Sequence, residues 1–284
     1  MKNILKIKII CLTLLLSAVI SNAQTLKVMT YNIRLDINVD GENQWDKRKD
    51  FFASQIKFYE PDIFGVQEAR PNQISDLKAM LPDFDHVGIG RDGIGQGEAS
   101  AIYFNKSRFS VSSDQTFWLS ETPGKISKGW DAAYVRICTF ALFKDKKTKK
   151  TFWVFNTHLD NQGEEARRKG IDLILAKIKE VNKKDYPVIL MGDFNVEPES
   201  ELITDLKKSM NNTREISQTE PFGPGGTFNG FKFDEPVTRQ IDYIFTDKSE
   251  RIKVKKYAVL SDSKDLKYPS DHLPVYVELL IEKK

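Results

Sequence analysis

The chain has 284 residues, 43 of them basic and 40 acidic, with 40% hydrophobic residues and two cysteines. Those figures exclude a disordered or low-complexity chain, a disulfide-stapled scaffold, and the strong global positive field of a generic nucleic-acid binder. Roughly 260 residues without a linker, repeat or biased tract are enough for one large core.

The first segment reads as a targeting sequence. Lys2, Lys6 and Lys8 precede an apolar run, "IICLTLLLSAVI", that is too short to span a bilayer, and "SNA" supplies small residues at a cleavage point. Cleavage is expected after Ala23, leaving 24–284 as a single domain, periplasmic or secreted, with no stable membrane insertion. Cys11 lies inside the apolar run, so a lipoprotein anchor is not expected. Three of the basic residues and no acid fall in this leader, so the remaining chain carries 40 charges of each sign. Cys138 is then the one thiol, and no internal disulfide is available.

Strand patterns follow at 25–33, 62–68, 100–104, 108–119, 134–143, 151–159, 187–193, 240–246, 252–260 and 274–281. Helical patterns cover 45–60, 163–181 and a shorter stretch after Ser200, a candidate N-cap for "ELITDLKKSM". Hairpin-like pairs are expected at 100–119 and 134–159, the second with the charged tip "KDKKTKK" (144–150). The mixture predicts an α/β (α+β) architecture: two largely antiparallel sheets with helices on their outer faces.

Several of these apolar strands end in a polar residue. Asn32 closes "VMTYN" and Glu68 closes "IFGVQE"; Asn156 and His158 alternate onto one face in "VFNTHLD", as do Asp193 and Asn195 in "MGDFN". Asp242 interrupts "RQIDYIF", and Asp271 and His272 end the loop "YPSDHLP". Each has an ordinary structural reading: Asn32 satisfying backbone, Glu68 capping a turn, His158 filling the interior, Asp271 forming an Asx turn. Together they are too many acids to bury without a compensating charge. A hard dication with oxygen ligands suits carboxylates, amides and histidines without cysteine, and the chemistry implied is metal-assisted hydrolysis of a phosphate ester. His86 lacks such partners and reads as structural. "DINVDG" (36–41) lacks the acid that closes a calcium loop, and "GIGQG" (93–97) lacks the strand–helix setting of a dinucleotide fingerprint.

In order and spacing, "TYNIR", "GVQE", "NTHLD", "GDFN", "IDYIF" and "SDHLP" resemble the endonuclease/exonuclease/phosphatase superfamily over residues 26 to 280. The resemblance implies a four-layer sandwich of two face-to-face, mostly antiparallel sheets flanked by helices, like deoxyribonuclease I. It implies Mg²⁺, with Mn²⁺ as a substitute, on Glu68 beside Asn32, with Asp271 near the metal or its waters. Asp193 and Asn195 would position the attacking water and the phosphate. His272 would be the base or a phosphate-binding histidine oriented by Asp242, and His158 an acid or phosphate-oxygen stabiliser oriented by Glu98.

Substrate choice falls to the loops at 117–136 and 223–240. Trp118, Trp130, Phe228 and Phe231 either stack a base, cover a sugar or lipid head group, or pack on the scaffold; Arg136 either meets a phosphate or forms an ordinary ion pair. The partner expected is a phosphate ester, monoester or diester. Nucleic acid is disfavoured by the neutral charge, and a monomer is expected. The alternatives carried forward are a nuclease acting on DNA or RNA, and a silent phosphate-ligand binder of the same fold.

Overall fold

The computed structural model describes residues 25–282, so the expected signal peptide and its cleavage point lie outside the described residues. The strands that pair form two six-stranded sheets. In the first, the order is β11 (Ile252–Val259), β12 (Val275–Ile281), β1 (Leu26–Asn32), β2 (Ile63–Gln67), β4 (Ile102–Asn105), β3 (Phe84–Val87). In the second it is β5 (Phe109–Trp118), β6 (Ile137–Asp145), β7 (Thr151–His158), β8 (Val188–Asp193), β10 (Asp242–Asp247), β9 (Met210–Asn212). Each sheet contains one parallel pair, β1 with β2 and β7 with β8; the remaining pairs are antiparallel.

Alternation along the strands builds the layers. Val28, Ile63, Val154, Ile189 and Ile244 face inward between the sheets. Their neighbours Met29 and Phe64 pack outward against α1 (Trp45–Tyr59) and α2 (Pro71–Met80), sharing a cluster with Phe52, Ile56 and Leu77. Phe155, Leu190 and Phe245 do the same on the other side with α3 (Glu164–Val181) and α4 (Glu201–Ser209), through Ile171, Ile174, Ile203 and Leu206. Strands buried on both faces have to be apolar at every position, which is why "VILM" shows no alternation. The result is the expected four-layer sandwich.

Ser200 caps α4, its hydroxyl accepting the Ile203 N–H at 3.3 Å. The "KDKKTKK" tip turns β6 into β7, with Asp145 Oδ1 accepting the amides of Lys147 and Thr148. The expected hairpin at 100–119 does not form: β4 pairs with β2 and β3 in the first sheet, and β5 pairs with β6 in the second. Asn105 Oδ1 accepts the amides of Ser107 and Arg108, turning the chain from one sheet to the other instead of back along β4. Two short strands, β3 and β9, and the helix α2 were not expected. The signal for α2 was Pro71 in its first turn with Gln73, whose Oε1 accepts the Arg70 N–H at 3.0 Å.

Candidate active site

The parallel pairs explain where polar residues gather. In a parallel pair the two carboxy-terminal ends lie side by side, so β1–β2 sets Asn32 opposite Gln67, one residue before Glu68, and β7–β8 sets His158 opposite Asp193. β10 runs antiparallel to β8 and begins there, with Asp242 opposite Asp193. The loop before β12 delivers Asp271 and His272 to the same edge. Asn156 sits beneath them between the sheets, its Nδ2 donating to the carbonyls of Val66 and Ala101 and its Oδ1 accepting from Gln67. Gly65 allows this crossing: a Cβ there would lie 2.7 Å from the Asn156 side chain.

Side-chain geometry then links the parts. Asn32 Nδ2 donates to Glu68 Oε1 at 3.1 Å and to Asp193 Oδ2 at 3.0 Å. Leu35 N–H donates to Glu68 Oε2 at 2.9 Å, fixing the carboxylate plane. Asp193 Oδ2 lies 3.4 Å from His158 Nε2 and 3.8 Å from His272 Nε2, while its Oδ1 accepts the Asn195 amide at 2.9 Å. On the far side of the ring, His272 Nδ1 meets Asp242 Oδ2 at 2.8 Å, and the Thr227 hydroxyl donates to that oxygen at 2.6 Å. Asn195 takes a left-handed backbone (φ 53°), and its Nδ2 donates to the Leu159 carbonyl.

Charge is distributed unevenly over these groups. Burial pulls His272 down, but Asp242, Asp193 and Asp271 outweigh it and lift the imidazole to about 10. Burial, followed by Arg136, His272 and Arg91, pushes His158 well below its ordinary value. Asp193 is raised to about 7 by burial and by the Asp242 charge, against the pull of His272. At neutral pH the site therefore holds an imidazolium, a neutral imidazole and a carboxyl poised to exchange a proton.

Two donor sets suit a divalent cation. Asp193, Asp242 and His272 each place one ligand atom within 4.8 Å of the others, but Asp242 Oδ2 and His272 Nδ1 already engage each other. The all-oxygen set around Glu68 fits a hard ion better. Each Glu68 oxygen accepts a single protein hydrogen bond, and the residue lines the cleft. Asp271 stands close enough for the Glu68 charge, added to burial, to raise its carboxyl, a repulsion that a cation bound between them would relieve.

The cleft over this edge measures about 650 Å³. Arg34, Arg70, Arg91, Arg136 and Arg239 line it, and four of these were not singled out in the sequence because they are scattered along the chain. Arg34 is forked onto Asp40 and reaches 3.9 Å from Asp271. Arg136 pairs with Asp160 at 3.3 Å, as the ion-pair reading has it, and it also lines the cleft. In place of the expected bond to His158, Glu98 is forked onto Arg91, and no Glu98–His158 hydrogen bond occurs among the described residues.

The aromatic expectations divide. Phe228 lines the cleft with its ring edge-on to His272 at 5.1 Å. Trp118 is buried, its indole N–H donating to the Arg91 carbonyl, because β5 turns it inward against the 91–98 loop. Trp130 is outside the cleft lining, its amide drawn toward Glu121, and Phe231 packs under the buried guanidinium of Arg48. Arg48 itself went unread: it donates to the carbonyls of Ile33, Arg34, Asn43 and Pro269, tying the Asn32 and Asp271 loops together. Its signal was an arginine on the buried stripe of α1, three residues after Trp45.

Two face-to-face sheets with acids, amides and two histidines at their shared edge define a phosphoesterase or nuclease type of scaffold. The chain belongs to the endonuclease/exonuclease/phosphatase family, whose model matches residues 29–272. Members are hydrolases acting on phosphate esters. It is similar to a mannosyl-6-phosphatase from Bacteroides thetaiotaomicron, 37% identical over 90% of this chain and all of that one, with a TM-score of 0.85. A second Bacteroides thetaiotaomicron protein of the family is 36% identical over 92% of this chain and 99% of its own, with a TM-score of 0.87. A probable RNA exonuclease of Saccharomyces cerevisiae is 26% identical over 61% of this chain, which spans only 38% of that protein.

Proposed function

We propose that this protein is an exported, Mg²⁺-dependent phosphoesterase that hydrolyses phosphate monoesters. The observation that supports this most is the Asp193–His272–Asp242 chain facing Glu68 across a cleft lined by five arginines. Mg²⁺ held by Glu68 with Asn32 and Asp271 would supply charge neutralisation at a phosphoryl oxygen. His272, kept as an imidazolium by Asp242, donates to a non-bridging oxygen and so holds the phosphate. Asp193 accepts a proton from the attacking water as the new P–O bond forms, and the ester P–O bond breaks with the departing alcohol taking its proton from solvent. Asn195 and the neutral His158 flank Asp193 and complete the polar cradle for water and phosphate. The arginines favour a phosphate dianion, and the similar mannosyl-6-phosphatase supports a monoester over a nucleic-acid strand.

The test is a panel of p-nitrophenyl phosphate, bis-p-nitrophenyl phosphate, sugar phosphates, RNA and plasmid DNA, each with Mg²⁺ and with EDTA. Monoester turnover that EDTA and Glu68→Gln abolish is expected. Faster turnover of RNA or DNA would move the protein to the nuclease reading, and turnover of nothing would leave the silent binder. Export is checked by fractionation and by sequencing the mature N-terminus, expected at Gln24.

A further inference from the structure

The cleft wall beside His158 is built around one tyrosine. Tyr134 is 47% exposed and lines the cleft, yet the structure around it is fixed before any ligand arrives. The guanidinium carbons of Arg91 and Arg136 each lie 5.5 Å from its ring centroid. Arg91 is locked by Glu98 at 2.7 Å, and its carbonyl accepts the Trp118 indole N–H at 2.8 Å. Arg136 is locked by Asp160 and Asn161, and Asp160 also accepts the backbone amides of Ala133 and Tyr134. Two loops, 91–98 and 130–136, are thereby clamped into one surface whose rotamers need not be ordered on binding.

The polarity of that surface indicates what it takes. A nucleobase needs a bare aromatic face on which to stack. Neither cleft aromatic offers an unencumbered ring: Tyr134 shares its ring with two arginines, and Phe228 has Arg239 at 5.1 Å and His272 edge-on. What the wall presents is a phenol edge and a set of guanidinium N–H groups, donors suited to a ring of hydroxyl oxygens. Resting on the phosphomonoesterase reading, we propose that the Arg91–Tyr134–Arg136 wall is the subsite for a sugar, and that Tyr134 determines specificity for hexose phosphates over simple alkyl phosphates and nucleotides.

Two measurements test it. Steady-state rates with Mg²⁺ are compared for mannose 6-phosphate, glucose 6-phosphate, adenosine 5′-monophosphate and methyl phosphate. The wild-type protein is expected to favour at least one hexose phosphate over methyl phosphate by tenfold or more in kcat/KM. Tyr134→Ala is expected to erase most of that ratio and Tyr134→Phe, which loses the phenol donor and keeps the ring, an intermediate part of it, with the loss falling mainly on KM. Equal loss on every substrate in Tyr134→Ala, or a preference for the nucleotide carried by the same ring, would overturn the sugar assignment. Calorimetric titration of the EDTA-treated protein with mannose 6-phosphate and glucose 6-phosphate separates the two levels of the argument. Binding of either that weakens tenfold in Tyr134→Ala supports the subsite even if no ester is hydrolysed, and that combination overturns only the hydrolase reading. Unchanged binding, or none to the wild-type protein, overturns the subsite.

Discussion

His158 and His272 both approach Asp193 Oδ2, both buried, and their titrations are displaced in opposite directions. Burial alone pushes both toward neutrality. The difference comes from what stands behind each ring. His272 is backed by Asp242 on its Nδ1 and looks toward Asp193 and Asp271, so it stays protonated to about 10. His158 looks toward Arg136 and Arg91 and falls well below its usual range. Role in this site is therefore assigned by second neighbours, and each assignment can be broken separately.

The largest effect is expected from His272→Ala. Removing the imidazolium proposed to hold the phosphate is expected to lower kcat/KM roughly 10²- to 10³-fold, the range for losing one fixed donor to a charged oxygen. The pH profile of the intact protein checks the same assignment. Activity is expected to rise through about 7 as Asp193 ionises and to fall through about 10 as His272 loses its proton. A flat profile over that span would remove both groups from the chemistry.

Asp242→Asn breaks the comparison more gently, since the ring stays and only its counter-charge goes. A loss of roughly 10- to 100-fold is expected, as for outer partners that orient a histidine. The sign for stability follows from the raised folded value. The pairing contributes fully below the unfolded histidine value near 6.5 and is lost as pH climbs through about 10. Urea denaturation of Asp242→Asn and the intact protein should therefore differ most below neutrality and converge in alkali. A gap that widens with pH would contradict the charge state assigned to His272.

Asp160 anchors the opposite wall. Burial pushes its carboxyl up, but the amides of Gly163, Ala133, Tyr134 and Gln162 outweigh it and bring it to about 2. A depressed acid stabilises above its unfolded value and loses that contribution as pH falls through the folded one. Asp160→Asn should cost about 2 kcal/mol at neutral pH, and the gap should close between about pH 4 and 2. An unchanged urea midpoint at pH 7 would show that the wall stands without it.

How much of this was legible depended on whether a residue advertised itself locally. Asn32, Asp193 and Asp242 stand at the ends of apolar strands and Glu68 directly after one, and a polar residue against a strand buried on both faces is visible in one dimension. The sheets were legible for the same reason. Arg91 and Tyr134 were not, because each sits in a polar loop where such residues are unremarked, and Asp160, the last residue of "NTHLD", was given no role; the meaning of all three lies in contacts across 24 to 27 positions. Trp118 misled in the other direction: an aromatic beside a loop looked like a rim, and only the inward turn of β5 shows that its indole serves the Arg91 carbonyl. The 100–119 hairpin failed because adjacency in sequence carries no information about which of two stacked sheets a strand joins.

The smallest effect sharpens the comparison most. Arg136→Met removes one of the two guanidinium charges facing His158, and Asp160 keeps its backbone amides, so the wall holds its shape. Since burial is the leading cause of the depression and Arg136 the second, the His158 titration should move upward by only part of its displacement. Nuclear magnetic resonance of the imidazole nitrogens across the pH range reads this directly, with His272 in the same spectrum as an internal reference. No movement would mean that burial alone keeps His158 neutral and the arginines serve only the substrate. A return to the ordinary histidine value would mean that Arg136, not burial, sets its state, and the ordering of causes behind the two-histidine contrast would have to be reversed.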